Sequence, residues 1–418
     1  MNKEINRILQ LYVGRHLPSQ HIFVPSEERP KAPVELTRLY FRKWLVHPLK
    51  RRLSHVYSEA LSLGGCEIIG VTGSAGKTTA KEMIASVLSQ KFKTVKSEAN
   101  IDPVYNIPTT ILKSPLNTQK LVLEMGIEYP GEMDFYLWLT RPQIGVITSI
   151  YFTHTQFLES LENVIRQKGK LVESLPSRGF AILNYDDPYV RSLAGKSRAR
   201  EMWYGFGKRA QVRGRQVKIT EDYNTSFILD TQEGEVAVEL PLLGEHFVSL
   251  ALAASCVGLA CGVGLGDIKK GLEAVKGLPH RMIPFKTRGA VLIDDTFNAN
   301  PLACREALNT LSKLAKGKRK IFVLGEMKEL GKYEESLHRE IGEYASRVGV
   351  DYIFGLGDLT RFTIEEFKKE GRRKGNTFLA EDKASLIHKL RGFINKGDAI
   401  LVKGSRFMMM EEVVDSLV

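Results

Sequence analysis

Gly70-Val-Thr-Gly-Ser-Ala-Gly-Lys-Thr-Thr79 is the stretch whose reading decides the fold. It joins the apolar run Cys66-Glu-Ile-Ile-Gly-Val-Thr72 to Thr79-Ala-Lys-Glu-Met-Ile-Ala-Ser-Val-Leu88. The first reads as a buried strand and the second as a helix. Strand, glycine-rich loop and helix set backbone N–H groups and a helix N-terminus around polyphosphate. Gly73, Ser74, Ala75, Gly76, Lys77, Thr78 and Thr79 would form that cradle. Lys77 would reach the terminal phosphates and the Thr78 hydroxyl would hold Mg²⁺. Val71 occupies the first glycine position of G-x-x-x-x-G-K-[ST], so the spacing is relaxed. A structural glycine turn is the plain alternative; the strand-to-helix setting favours ATP.

At 418 residues the chain has room for two or three domains. Its first residues are polar, without a long apolar core, so no signal peptide is expected. The most apolar window, residues 250–265, is shorter than the ~20 residues that span a bilayer and reads as a packed core helix. Cys66, Cys256, Cys261 and Cys304 lie in apolar stretches without CxxC spacing, which suits free thiols in a reducing cytoplasm. Net charge is +12, and residues 1–64 hold eleven Lys/Arg against five Glu, about half of that excess. Such charge suits a nucleotide-linked substrate or an acidic membrane surface. No nucleic-acid motif accompanies it, and no nucleic-acid partner is expected.

Residues 1–64 read as a basic helical segment. Val34-Glu-Leu-Thr-Arg-Leu-Tyr-Phe-Arg-Lys-Trp-Leu-Val46 alternates apolar and basic residues at helical spacing, Pro48 is expected to interrupt it, and residues 50–61 continue in the same style. Residues 34–61 fit either a helical cap on the next domain or a helix lying on an anionic bilayer. From residue 65 the pattern is α/β, with strands expected at 66–72, 119–125 and 143–149 in a mostly parallel sheet. Residues 206–240 read as a peripheral β excursion. A second, Rossmann-like doubly wound series follows, with strands near 290–294, 320–324, 351–355 and 398–402. The expected domains are therefore 1–64, a central P-loop domain at 65–283 and a C-terminal domain at 284–418.

Glu124 closes the apolar run Leu121-Val-Leu-Glu124, at the strand end where ligands bind in parallel sheets, and is a candidate Mg²⁺ ligand. His154 is expected at the same edge. Lys168, in Asn163-Val-Ile-Arg-Gln-Lys-Gly-Lys170, reads by default as a surface helix lysine. In Asp294-Asp-Thr-Phe-Asn-Ala-Asn-Pro301, two aspartates end a strand and a helix is expected to start at Pro301. Such polar density suits ribose hydroxyls or phosphates. Arg281 could clamp a γ-phosphate, or form an interdomain salt bridge.

Taken together, the 70–79 loop, Glu124, His154 with Lys168 fourteen residues on, Gly244-Glu-His246, Pro279-His-Arg281 and Asp294-Asp-Thr-Phe-Asn-Ala-Asn300 resemble the Mur ligases. Those enzymes form an amide bond while converting ATP to ADP and phosphate, in building peptidoglycan precursors. Leu324-Gly-Glu-Met-Lys-Glu-Leu-Gly331 and Leu401-Val-Lys-Gly-Ser-Arg406 resemble the branch that adds a D-alanyl-D-alanine dipeptide to a nucleotide-sugar peptide. The resemblance implies ATP between the central and C-terminal domains, and one or two Mg²⁺ organised by Thr78, Glu124 and His154. It implies that Lys168 is carbamylated into a carboxylate-like metal ligand. Arg281 would meet the γ-phosphate, Asp295 the ribose, and His246 and Asn298 the nucleotide. Asn100, Asn300, Lys403 and Arg406 would meet the other substrates, in a protein expected to be a monomer.

The chain departs from the family in three places. His246-Phe-Val-Ser-Leu250 lacks both asparagines of the His-Asn-x-x-Asn pattern, and Asn106 stands where the family has glycine. Its first 64 residues are basic and helical in place of an α/β domain that grips the UDP-sugar. A different carboxylate acceptor, or a non-catalytic nucleotide-binding scaffold, therefore stands beside the dipeptide-adding reading.

Overall fold

The computed structural model describes residues 17–24, 29–369 and 376–418. The first sixteen residues of the expected N-terminal segment, and 25–28 within it, lie outside the described residues. The chain divides into two compact units. One comprises Met1–Ile150, Glu162–Val212 and Ala253–Gly271; the other comprises Tyr151–Leu161, Arg213–Leu252 and Leu272–Val418.

In the first unit six parallel strands, β1 (Glu67–Thr72), β2 (Thr94–Lys96), β3 (Lys120–Glu124), β4 (Ile144–Ile147), β5 (Phe180–Asn184) and β6 (Arg200–Gly205), run in the order β2-β3-β1-β4-β5-β6. The expected strands at 66–72, 119–125 and 143–149 are β1, β3 and β4. Their side chains are apolar on both faces because helices cover both. β2 escapes the sequence pattern because it is three residues long and half-exposed. From β1 the chain crosses to β2 and β3 on one side and then to β4 on the other. The loop after β1 therefore sits at the topological switch point, the crevice where parallel sheets bind ligands.

A continuous helical segment, 33–63, precedes β1. It consists of Pro33–Phe41, a wide π-turn at Arg42–Val46, and His47–Leu63. Pro48 does not interrupt it, contrary to expectation. Proline clashes with the carbonyl four residues back and lacks an N–H, and the π-turn just before it relieves both. Pro48, Arg51, Ser54, Ser58 and Leu61 face inward, against the helices Pro103–Lys113 and Glu132–Thr140. The helical-cap reading thus describes this inner face. Three free cysteines are buried and Cys261 is half-buried. Among the described residues no helix is long and apolar enough to cross a membrane.

The second unit holds the expected excursion as an antiparallel meander, β7 (Val212–Ile219), β8 (Thr225–Thr231) and β9 (Gly234–Leu240). Its main sheet comprises β10 (Ile283–Thr287), β11 (Ala290–Asp295), β12 (Lys320–Gly325), β13 (Tyr352–Leu356), β14 (Thr377–Ala380) and β15 (Ala399–Lys403), ordered β10-β11-β15-β12-β13-β14. All pairs are parallel except β10–β11, a hairpin turned by Arg288 and Gly289, both at positive φ. Its core is the cluster around Leu292, Val323, Phe354, Ile400 and Val402. The helix Pro301–Leu314 begins at Pro301 as expected, with the Asn300 side chain accepting from the Ala303 N–H.

Candidate active site

The loop after β1 turns at two glycines in the positive-φ region that favours glycine. Gly73 has φ +154°, and a Cβ there would lie 1.9 Å from Thr148 Oγ1. Gly76 takes φ +77° at the N-cap of Lys77–Leu88. Between them the backbone is pinned from outside. Ser74 N–H donates to Ser149 O at 2.8 Å, Ala75 N–H to Ser149 Oγ at 3.1 Å, and Thr148 Oγ1 to Ala75 O at 2.6 Å. A loop held this way presents the first turn of a helix, whose N–H groups have no intrahelical partner, to an anion.

Around this loop the first unit gathers several expected site residues. Thr78 Oγ1 donates to Glu124 Oε1 at 3.1 Å. Register places Glu124 beside Val71, so hydroxyl and carboxylate meet at one strand edge. Lys168, on Leu161–Glu173, is fully buried rather than on the surface, and its amine donates to Gly73 O at 3.0 Å. The sheet covers the helix face that carries it, which helical periodicity alone does not reveal. Burial first, and then the charge of Lys77, hold this amine well below the usual lysine range, with Glu132 opposing. Asn100 is exposed at φ +61°. Asn106 is buried, its amide bonding Glu98 O at 2.7 Å inside its own region, so the replaced glycine position serves the fold.

Thr78 and Glu124 are hard oxygen donors of the kind Mg²⁺ takes, together with phosphate and water. Among the described residues no group of three or more His, Cys, Asp or Glu converges on a metal position. The fit is therefore to a cation shared with phosphate oxygens rather than to an all-protein cage.

The remaining expected residues lie in the second unit. His154 has φ +51°, and its Nδ1 stands 2.7 Å from Glu329 Oε2, off the angle of a hydrogen bond. His154, Asn298, Asn300, Lys328, Glu329 and Arg406 line one cavity of about 130 Å³. Arg281 stacks on Phe297, its guanidinium carbon 4.0 Å from the ring centroid. Asp295 and Lys403 are register partners on β11 and β15 and form a buried ion pair, Lys403 also donating to Asn298 O at 3.0 Å. Both are expected at ligands, and here each is the other's ion-pair partner. Burial raises the Asp295 carboxyl, while Lys403 and then Arg281 oppose the rise. The His246 imidazole is pushed down to about 3 by burial, then by the charge of Lys403. Arg406 pairs with Glu411 at 2.6 Å.

Sequence reasoning missed Ser149, which bonds the loop twice, and Lys81, one turn after Lys77. The Lys81 amine is fully buried, donating to Ser97 O at 2.7 Å and lying 3.9 Å from Glu124 Oε2. Its four-residue spacing from Lys77 was the available signal. Glu329, beside His154, lies within the Leu324–Gly331 stretch that carries the family resemblance, but no role is read for it there.

Two family descriptions match this chain: the Mur ligase middle domain at residues 71–258, and the Mur ligase, glutamate ligase domain, at residues 280–406. The UDP-N-acetylmuramoyl-tripeptide–D-alanyl-D-alanine ligase of Bacillus subtilis (strain 168) is 33% identical over 369 residues, 88% of this chain and 79% of that protein. A crystal structure of MurF from Acinetobacter baumannii superposes with a TM-score of 0.81 at 27% identity, covering 89% of this chain and 80% of that one. MurF ligase from Thermotoga maritima, solved in complex with ADP, has the same fold, with a TM-score of 0.78 at 23% identity and coverage of 88% and 83%. Matched in both halves, and at this identity over most of a relative's length, the chain belongs to the Mur ligase family.

Proposed function

We propose that this chain is an ATP-dependent ligase of peptidoglycan precursor synthesis. It joins the amine of D-alanyl-D-alanine to the free carboxylate of UDP-N-acetylmuramoyl-tripeptide, the reaction for which its Bacillus subtilis relative is named. The observation that carries this reading is the buried Lys168 amine under the Gly73 carbonyl, in a loop that also sets Thr78 on Glu124. A phosphate loop alone would fit any ATPase. A buried lysine beneath it, its amine held well below the usual lysine range, fits the carbamylated lysine of this family, since only the neutral amine adds CO₂, with loss of one proton.

The 73–79 backbone and the helix N-terminus after it hold the ATP phosphates. The substrate carboxylate attacks the γ-phosphorus, the bond to ADP breaks, and Lys77 neutralises charge on the transferred group. The dipeptide amine then attacks the acyl carbon; phosphate leaves and the amine gives up a proton. Mg²⁺ bound by Thr78 and Glu124 would supply further charge neutralisation on the phosphoryl oxygens. We assign carbamylated Lys168 and His154 to that metal site as well. Arg281 is assigned to the γ-phosphate, His246, Asp295 and Asn298 to the nucleotide, and Asn100, Asn300, Lys403 and Arg406 to the peptide substrates. The protein would act as a cytoplasmic monomer.

The test is phosphate release from ATP and Mg²⁺ with UDP-N-acetylmuramoyl-tripeptide, with and without D-alanyl-D-alanine, the product read by mass spectrometry. Release that needs both substrates, with the pentapeptide formed, supports the reading. Silence with this pair while ATP still binds refutes it in favour of another acceptor.

A further inference from the structure

Among the described residues, the face of segment 33–63 turned away from its packing partners is apolar and exposed. Val34, Phe41, Leu45, Leu49, Leu53 and Val56 all lie on it, Leu49, Leu53 and Val56 being 57%, 54% and 64% exposed. A four-residue repeat drifts about 40° per step around an α-helix, so this stripe would wind onto the packed side. The π-turn at Arg42–Val46 takes up an extra residue and restores the alignment of Phe41 with Leu49 and Leu53. The segment extends roughly 45 Å.

The orientation is fixed from the other side. Lys50 donates to Thr109 at 2.6 Å, Tyr57 to Ser114 O at 2.8 Å, and His55 stacks on Trp138 at 4.3 Å. The apolar stripe cannot turn inward without breaking these contacts. Around it, residues 29–63 hold eight Lys/Arg and two Glu, with Arg38, Arg42 and Arg52 exposed. The local field is strong enough to act on His47. Burial first, then Arg51, Arg42, Lys50 and Lys43, push its imidazole down to about 4.

We propose that this outward face docks on the surface of an anionic phospholipid bilayer, the helix lying in the interfacial plane. An exposed apolar stripe of this length marks an interaction surface, and basic flanks with an aromatic residue suit lipid headgroups. A second copy of the chain is disfavoured, because two such faces would oppose one excess of positive charge with another. Nucleic acid would use the charge and leave the stripe in water. The inference stands independently of the ligase reading, since none of these residues belongs to the phosphate loop.

The experiment is co-sedimentation of the whole chain with vesicles of phosphatidylcholine alone or mixed with phosphatidylglycerol. Binding should require the anionic lipid and fall away at about 1 M salt, where the screening length is about 3 Å. The double variant Leu49→Gln/Leu53→Gln should bind at least about tenfold more weakly, with unchanged circular dichroism and unchanged ATP binding. Failure to sediment, equal binding to neutral vesicles, or full binding by the variant would each overturn the proposal. So would a concentration-dependent dimer that the same variant abolishes, which would identify a second copy as the occupant.

Discussion

Gly73→Ala tests how the phosphate loop is held. An added Cβ meets Thr148 Oγ1 at 1.9 Å and Thr148 Cβ at 3.1 Å, so either the hydroxyl or the loop must move by about 1 Å. The hydroxyl donates to Ala75 O at 2.6 Å and, more weakly, to Thr72 O at 3.3 Å. Rotating it away costs about 1–2 kcal/mol in lost hydrogen bonding. Holding alanine at φ +154° adds about 1–3 kcal/mol. The expected loss is therefore about 2–5 kcal/mol by urea denaturation, which a domain of ordinary stability survives. Loop displacement of that size should lower turnover on the order of 100-fold. Thr148→Ala removes the oxygen, so the double variant should be less destabilised than the two single losses added together. Gly73→Ala with an unchanged urea midpoint and unchanged ATP affinity would refute the reasoning.

Lys77→Ala should keep the fold and lower phosphate release at least about 100-fold, and full product formation by that variant would sink the proposed mechanism. Lys168 binds its proton more weakly in the folded chain than in the unfolded one. Stability should therefore rise with pH from its depressed value up to the ordinary 10.5, and Lys168→Met should lose both that rise and turnover in urea and activity series. Lys403→Met leaves the Asp295 carboxylate without its ion-pair partner, with only the charge of Arg281 left to oppose its burial, and should cost about 3–5 kcal/mol, most of it recovered when Asp295→Asn is added; equal melting of the two variants would contradict the pairing. His246 stays neutral in the fold down to about pH 3 while the unfolded chain protonates near 6.5. Stability should thus fall as pH drops through that window, and His246→Gln should flatten the fall in acid titrations followed by fluorescence.

Much of the candidate site was legible because its signals are local. The glycines, Lys77 and Thr78 declare a strand–loop–helix within ten residues, and Glu124 declares a strand end. What stayed hidden depends on neighbours far along the chain. Lys168 reads as a surface lysine until the sheet covers its helix face, 95 residues from the carbonyl it bonds. The partner of Asp295 is equally remote: β15 brings Lys403 alongside it from 108 residues later in the chain.

The sequence by itself determined the two α/β series, the phosphate loop between β1 and its helix, the helix start at Pro301 and the amphipathic basic segment, because each follows from periodicity and turn chemistry over short spans. Which charges are paired, which lysine is held below its usual range, and which face of 33–63 remains outside follow from the tertiary structure alone. Those outcomes turn on desolvation and pairing. Both depend on which strands and helices become neighbours, and that adjacency has no period in the sequence.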